Sequence, residues 1–480
     1  MKEKGVLMPI FSIPSKYGIG DFGPNAKKFV DFLVETKDTI WQILPIGVTS
    51  IGDSPYQPNS LYAINPYFIS LDYLVKDKLL KREEILPYKG DRIDYGWLYN
   101  TRYQTLELAF ERFNKEKKDY KDFKAKQKWL DEYATFMALK KIQNNKPFNE
   151  WILEFKFRNE ESLEWFKKDY ADSIEFYKFI QYYAYKHYYS LKRYANNRGI
   201  KIMGDLPIYS AYDSADVWSN SKYYQLDDNL NPTSVAGCPP DAFSDLGQLW
   251  GNPLYNWDKI KEDKYKFFLD RIESALSLYD IVRLDHFRGF EAYYSIPYGR
   301  TDARVGEWIK GPGYRLFNLI NKKFNNPNIV AENLGYLTKE VFDLLKKTNY
   351  PGMNIFQFEL GDLKHSSLLK PYKENNVLYS GTHDNRTIIS FYNDLSKNEK
   401  HFVDKLCNIG FMDKPNLKII EFLMKEPSKY VIIPYQDYLG YSDEKARINS
   451  PSTFGGNWNV MFKKEDFSKE AKEYMKNLVR

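Results

Sequence analysis

Short apolar, β-branched runs recur along the chain, each too short for a helix. They predict strands near Val6–Ile10, Thr39–Leu44, Ile200–Leu206, Asp280–Asp285, Asn328–Glu332, Met353–Phe358, Val377–Ser380 and Tyr430–Pro434, most flanked by Gly, Pro or Asn. Between them the apolar spacing lengthens to three and four. Tyr265, Phe268, Leu269, Ile272, Leu276 and Tyr279 predict a helix running into the strand that ends at Asp285. Thr338 is placed to cap a helix carrying Val341, Leu344 and Leu345. Phe467, Ala471, Tyr474, Met475 and Leu478 predict a final amphipathic helix. Eight strands alternating with helices fit an α/β fold, a (β/α)8 TIM barrel, better than a doubly wound sheet.

The strands are unevenly spaced. Residues 50–198 form a long insertion, Lys/Glu/Tyr-rich and helical in pattern, and residues 207–262 form a second, rich in Pro, Gly and Asn. Barrel enzymes enlarge the loops at strand C-termini to build a cleft. No repeat or low-complexity linker marks off a module, so residues 1–480 read as one elaborated catalytic domain.

Charge and composition remove several alternatives. Lys+Arg 70 against Asp+Glu 64 leaves +6, too small and too spread to neutralise phosphates, which argues against nucleic acid as a partner. No stretch approaches ~20 consecutive apolar residues, so no membrane span is expected. Pro9 and Pro14 interrupt the first apolar run, and no small-residue cleavage pattern follows, so no secretory signal is expected. Two cysteines, Cys238 and Cys407, build no disulfide framework and suit a reducing cytoplasm. Aromatic content is 17%; most such rings belong in a core, but flat rings with polar tips also suit sugars.

Gly18-Ile19-Gly20-Asp21-Phe22-Gly23 imitates a dinucleotide-binding loop. Ser12 to Tyr17 separate it from the preceding strand, and Asp38 lies before the next strand, out of reach of a ribose, so the glycines read as turn residues. The five histidines show no i, i+4 pair for zinc, and no metal or cofactor is implied. What remains are acidic residues at strand ends. Ile281 to His286 places Arg283 and Asp285 on one face; Glu332 ends another strand; Asp384 follows a third within Gly381-Thr382-His383-Asp384-Asn385. A parallel barrel brings all three to the same rim, where like charges raise at least one pKa. Glycosidic cleavage needs that division between a nucleophile or base and a proton donor. On pattern alone these groups could equally be helix caps, and Arg283–Asp285 a structural ion pair.

At these residues the sequence resembles the amylomaltases, or disproportionating enzymes, the 4-α-glucanotransferases of glycoside hydrolase family 77 in the α-amylase superfamily. The resemblance begins at Gly5-Val6-Leu7 and runs through Trp41 to Pro45, Asp53-Ser54-Pro55-Tyr56, Gly204 to Tyr209 and Asp213 to Trp218. It continues through Gly237-Cys238-Pro239-Pro240-Asp241, Gly251 to Tyr255, Arg283 to Gly289, Ala331 to Gly335 and Gly381 to Asn385, all in order. It implies a barrel with inserted subdomains around the cleft and no C-terminal β domain. It also implies transfer of α-1,4-glucan segments to the 4-hydroxyl of an acceptor glucan by a retaining route, with α-1,4-glucans and maltooligosaccharides as ligands. Carried over by position, Asp285 matches the nucleophile, Glu332 the general acid/base and Asp384 the third carboxylate. Arg283 would hold Asp285 ionised, and His383 would bond the same sugar. Asp205, Trp250, Gln248 and Asn457 fall where relatives line donor and acceptor sites, and Tyr56 where an aromatic forms a secondary glucan-contact surface. Two departures stand out: Ala242 precedes Phe243 in a loop that relatives fold over the glucan, and Asn457-Trp458-Asn459-Val460 replaces a more basic, aromatic ending. An α-amylase-like hydrolase and a non-catalytic glucan-binding protein are the competing readings. Nothing in the sequence sets the oligomeric state.

Overall fold

The computed structural model describes residues 2–49, 52–240, 244–361, 363, 366–453 and 455–478. Twelve strands follow in chain order: β1 (Glu3–Leu7), β2 (Ile40–Gln42), β3 (Lys201–Leu206), β4 (Ser234–Cys238), β5 (Gln248–Pro253), β6 (Ile281–Leu284), β7 (Ala292–Pro297), β8 (Glu307–Lys310), β9 (Ile329–Ala331), β10 (Gly352–Ile355), β11 (Asn376–Tyr379) and β12 (Tyr430–Pro434). Eight of them, ordered β10-β11-β12-β1-β2-β3-β6-β9, pair in parallel. Each lies within a few residues of a stretch that the apolar runs pick out. The ring closes at the seam between β9 and β10, where the Ala331 amide donates to the Pro351 carbonyl at 2.9 Å and the Met353 amide to Asn333 Oδ1 at 2.7 Å.

Continuous apolar runs become barrel strands because both faces are covered, by the interior on one side and helices on the other. Every residue of β2, β6, β9, β11 and β12 is buried. Two strand glycines allow close approach. A Cβ on Gly204 would lie 2.3 Å from the Tyr279 ring, and one on Gly5 would lie 2.5 Å from the Ile40 carbonyl oxygen. The helices Lys266–Leu278, Lys339–Thr348 and Lys469–Asn477 form where the three- and four-residue spacing places them.

Between β2 and β3 the chain builds a helical layer, including Tyr95–Glu111, Leu130–Ile142 and the long Ala171–Asn196. Aromatics stack within it: Phe113 meets Tyr120, Phe179 and Tyr183 at 4.9–5.8 Å between ring centroids. The layer also anchors a functional loop. Buried Gln181 accepts from the Ile64 amide at 2.8 Å and donates to the Ile64 carbonyl at 2.9 Å, and from beyond β3 Asp216, on the helix Ala215–Ser219, accepts from the Leu61 amide at 2.7 Å.

Strands β4, β5, β7 and β8 form a separate antiparallel sheet, ordered β5-β4-β7-β8. Its first two strands lie in the stretch whose Pro, Gly and Asn content suggests loops, and the other two lie beyond it. Among the described residues no helix is long and apolar enough to cross a membrane.

Candidate active site

Three barrel strands deliver the three carboxylates to one end. Asp285 follows β6, its amide donating to the Leu206 carbonyl at 3.2 Å; Glu332 follows β9, its amide donating to the Leu284 carbonyl at 3.0 Å. Asp384 lies on the loop after β11. Both ends of that loop are fastened to buried Asp437, which accepts from Ser380 Oγ at 2.6 Å and from the Ile388 amide at 2.9 Å. All three carboxylates line one cleft of about 320 Å³, with Tyr56, Gln248, Trp250, His286, His383 and Trp458 among its walls.

Beneath the carboxylates lies Arg283, 2% exposed. One terminal nitrogen donates to Asp205 Oδ2 at 2.8 Å, the other approaches Glu332 Oε2 at 2.9 Å, and Asp285 Oδ1 stands 3.8 Å off. Burial works against its charge, but Asp205, Glu332, Tyr56 and Asp285 outweigh burial and keep the guanidinium ionised. Asp205 in turn accepts from the Tyr56 hydroxyl at 2.5 Å, and the Tyr56 ring stacks on His383 with centroids 4.9 Å apart.

The Asp285 carboxyl is pushed well above the usual carboxylate range, first by burial and then by the Glu332 charge and a hydrogen bond with Glu332. The pair therefore retains a shared proton at a pH where isolated carboxylates have lost theirs. Backbone amides address each member: Ile208 donates to Asp285 Oδ2 at 3.3 Å, and His286 donates to Glu332 Oε2 at 3.1 Å. His286 sits at φ 45°, ψ 52°, the left-handed region that costs a residue with a Cβ. That conformation turns its amide toward Glu332. Asp384 is tuned the other way. Burial would raise it, but the His383 ring at 3.3 Å, Asn449 Nδ2 donating at 2.6 Å and Arg283 hold it down at about 2. The site thus holds one protonated pair beside one ionised carboxylate.

A family model described as 4-alpha-glucanotransferase matches residues 8–466. The chain belongs to the 4-alpha-glucanotransferase family. A 4-alpha-glucanotransferase of Clostridium butyricum is 43% identical over 98% of this chain and 99% of its own length; one of Thermus thermophilus is 38% identical over 95% and 93%. An amylomaltase from Streptococcus agalactiae, solved in complex with acarbose, superposes with a TM-score of 0.97 at 37% identity, covering 100% of this chain and 98% of that one. A Corynebacterium glutamicum amylomaltase, 17% identical with a TM-score of 0.80, shares the fold. The activity is 4-alpha-glucanotransferase activity on α-1,4-glucans.

Within this 4-alpha-glucanotransferase, Asp285, Glu332, Asp384, His383, Trp250 and Gln248 share the cleft. Four placements differ from the sequence reading. Tyr56 lies in the central cleft against His383 rather than on a separate surface. Asp205 is buried behind the cleft, spent on Tyr56 and Arg283. Arg283 reaches Glu332 more closely than Asp285. Asn457 turns into its own loop, accepting from the Ser450 amide at 3.0 Å and donating to Thr453, while its neighbour Trp458 lines the cleft. Phe243 and Ala242 lie outside the described residues. The sequence reading passed over His286, Asn449 and Trp458. Adjacency to Asp285 and Asn457 was available for the first and third, but no local signal marks Asn449.

Proposed function

We propose that this 4-alpha-glucanotransferase works by retaining double displacement, with Asp285 as nucleophile and Glu332 as proton donor and acceptor. What supports this most is that the two carboxyls end adjacent strands, β6 and β9, and flank one guanidinium, Arg283, with Glu332 Oε2 at 2.9 Å and Asp285 Oδ1 at 3.8 Å. Carboxyls gathered on one guanidinium fit the ~5–5.5 Å separation of retaining enzymes better than the ~6.5–9.5 Å that leaves room for a water in inverting ones. In the first step Glu332 gives the shared proton to the glycosidic oxygen, the C1–O bond breaks, and Asp285 forms an ester with C1. The shortened glucan leaves with that proton. In the second step the 4-hydroxyl of an acceptor sugar yields its proton to Glu332 and attacks C1, and the Asp285 ester bond breaks.

Asp384 and His383 hold hydroxyls of the reacting sugar, Asp384 as an ionised acceptor. Arg283 is a positioning residue: its charge sets Glu332 and Asp205 in place, and through Asp205 it fixes the Tyr56 ring. Trp250 and Gln248 line the glucan path. Maltooligosaccharides are the ligands, as the acarbose-bound relative suggests, and a chain with only two cysteines, Cys238 and Cys407, fits work in the reducing cytoplasm.

Incubation with maltotriose, read by chromatography, tests the assignment. The wild type should give glucose and a ladder of longer chains, and Asp285→Asn should lose at least ~10³-fold in turnover. Appreciable turnover by that variant would remove Asp285 from the nucleophile's role, and simple shortening of chains by the wild type would favour a hydrolase.

A further inference from the structure

Asp384 and His383 line the cleft together with Glu332 and are the groups assigned above to the reacting sugar. On the loop that continues from Glu332, four residues on, Tyr336 lines the same cleft with 67% of its surface exposed. An aromatic ring left this open at a cleft wall offers a flat apolar face to whatever enters. The ring has a backing. Arg288, three residues after Asp285 and only 3% exposed, lies with its guanidinium carbon 3.6 Å from the Trp308 ring centroid and 5.7 Å from that of Tyr336. Its Nε and one terminal nitrogen are buried and have no hydrogen-bond partner among the described residues, so the two rings are its principal holders there. Glu291 and Glu340 lie close enough to offset its charge, and Glu291 itself pairs with Lys310. The surroundings are close to neutral, which suits an uncharged ligand better than an anion.

We propose that Tyr336, backed by Arg288 and Trp308, is the stacking platform for the acceptor sugar and sets how strongly transfer outcompetes hydrolysis. The C–H face of the incoming glucose lies on the Tyr336 ring, while its 4-hydroxyl points back along the loop to Glu332. A sugar held there occupies the approach that water would otherwise use. The proposal rests on the assignment of Glu332 as the group that protonates the leaving oxygen and deprotonates the acceptor.

The test uses maltotriose as donor and glucose as titrated acceptor, with glucan transfer and net reducing-end gain read from the same reactions. Tyr336→Ala should raise the KM for acceptor glucose about tenfold, with kcat at saturating glucose within about twofold and a larger share of hydrolysis at low glucose. Tyr336→Phe, which keeps the ring, should recover most of the acceptor KM. The residue is exposed, so the thermal midpoints of both variants should match the wild type. An unchanged acceptor KM and hydrolysis share in Tyr336→Ala would overturn the platform, as would a loss confined to kcat. Glu332→Gln separates the two ideas: full turnover in that variant would refute the acid/base assignment, whatever the acceptor KM of the Tyr336 variants.

Discussion

Asp384 shows how individual contacts set the chemistry. Its side chain opens to the cleft, and its pKa falls to about 2 because His383, Asn449 and Arg283 favour the charged form against the penalty of the surrounding protein. A carboxylate whose pKa is depressed keeps its charge down to that low value and loses it only below. Removing a donor raises the pKa and moves the loss upward. Asn449→Ala should therefore shift the acid limb of the kcat/KM profile to higher pH and leave the alkaline limb, set by the Asp285–Glu332 proton, in place. A pH–rate series on maltotriose checks this, and coincident acid limbs would contradict it. At this scale the sequence was informative wherever strand alternation applied. Arg283 on β6 and Asp285 just past its end, two residues apart, do face the same side. It failed where a loop decides orientation. Asn457 and Trp458 are neighbours, but Trp458 adopts φ 60° and takes the cleft while Asn457 closes a turn, and no periodicity distinguishes them.

At the scale of elements, close packing of strand on helix carries the cleft. Gly204 precedes Asp205 on β3, and the Tyr279 ring lies against it where a Cβ would be. Gly204→Ala should force the ring or the strand aside and cost ~1–3 kcal/mol; urea unfolding would measure it, and wild-type stability would show that the ring yields freely. The barrel strands were legible because burial on both faces demands unbroken apolar runs. Strands β4 and β5 were not. Ser234-Val235-Ala236-Gly237-Cys238 and Gln248-Leu249-Trp250-Gly251-Asn252-Pro253 carry residues that favour turns, and they form strands because each pairs with the other and β4 with β7. Tertiary pairing overrides local preference there, and the same sheet edge brings Gln248 and Trp250 to the cleft.

Across the whole molecule, pH also acts through a buried carboxyl that does not line the cleft. Asp437 is 1% exposed and raised to about 7, chiefly by burial, with Asp443 adding to the effect against the Ile388 and Ser380 hydrogen bonds. Its folded pKa lies above the unfolded one, so the native state binds the extra proton between those values. The associated stability is complete below ~4 and is lost as pH rises toward 7. Asp437→Asn keeps an acceptor for the Ile388 amide, offers Ser380 Oγ an N–H to accept in place of the oxygen it now donates to, and has no proton to lose. Between pH 5 and 8 the wild type should lose up to ~3 kcal/mol relative to that variant. Urea midpoints at the two pH values decide it, and parallel profiles would exclude Asp437 as the source.

The seam of the barrel has a bearing on heat and time. Glu332 hangs from β9, which is laddered to β6 on one side and joined to β10 on the other by the Ala331–Pro351 bond and the Asn333 side chain. Any parting of that joint leaves Glu332 beside Asp285, because β9 stays laddered to β6, but lets β10 and β11 draw Asp384 away from the pair while the eight strands stay bound in their open order. Inactivation on warming would then run ahead of unfolding, and cooling would restore the lost turnover by the reclosing of a single suture.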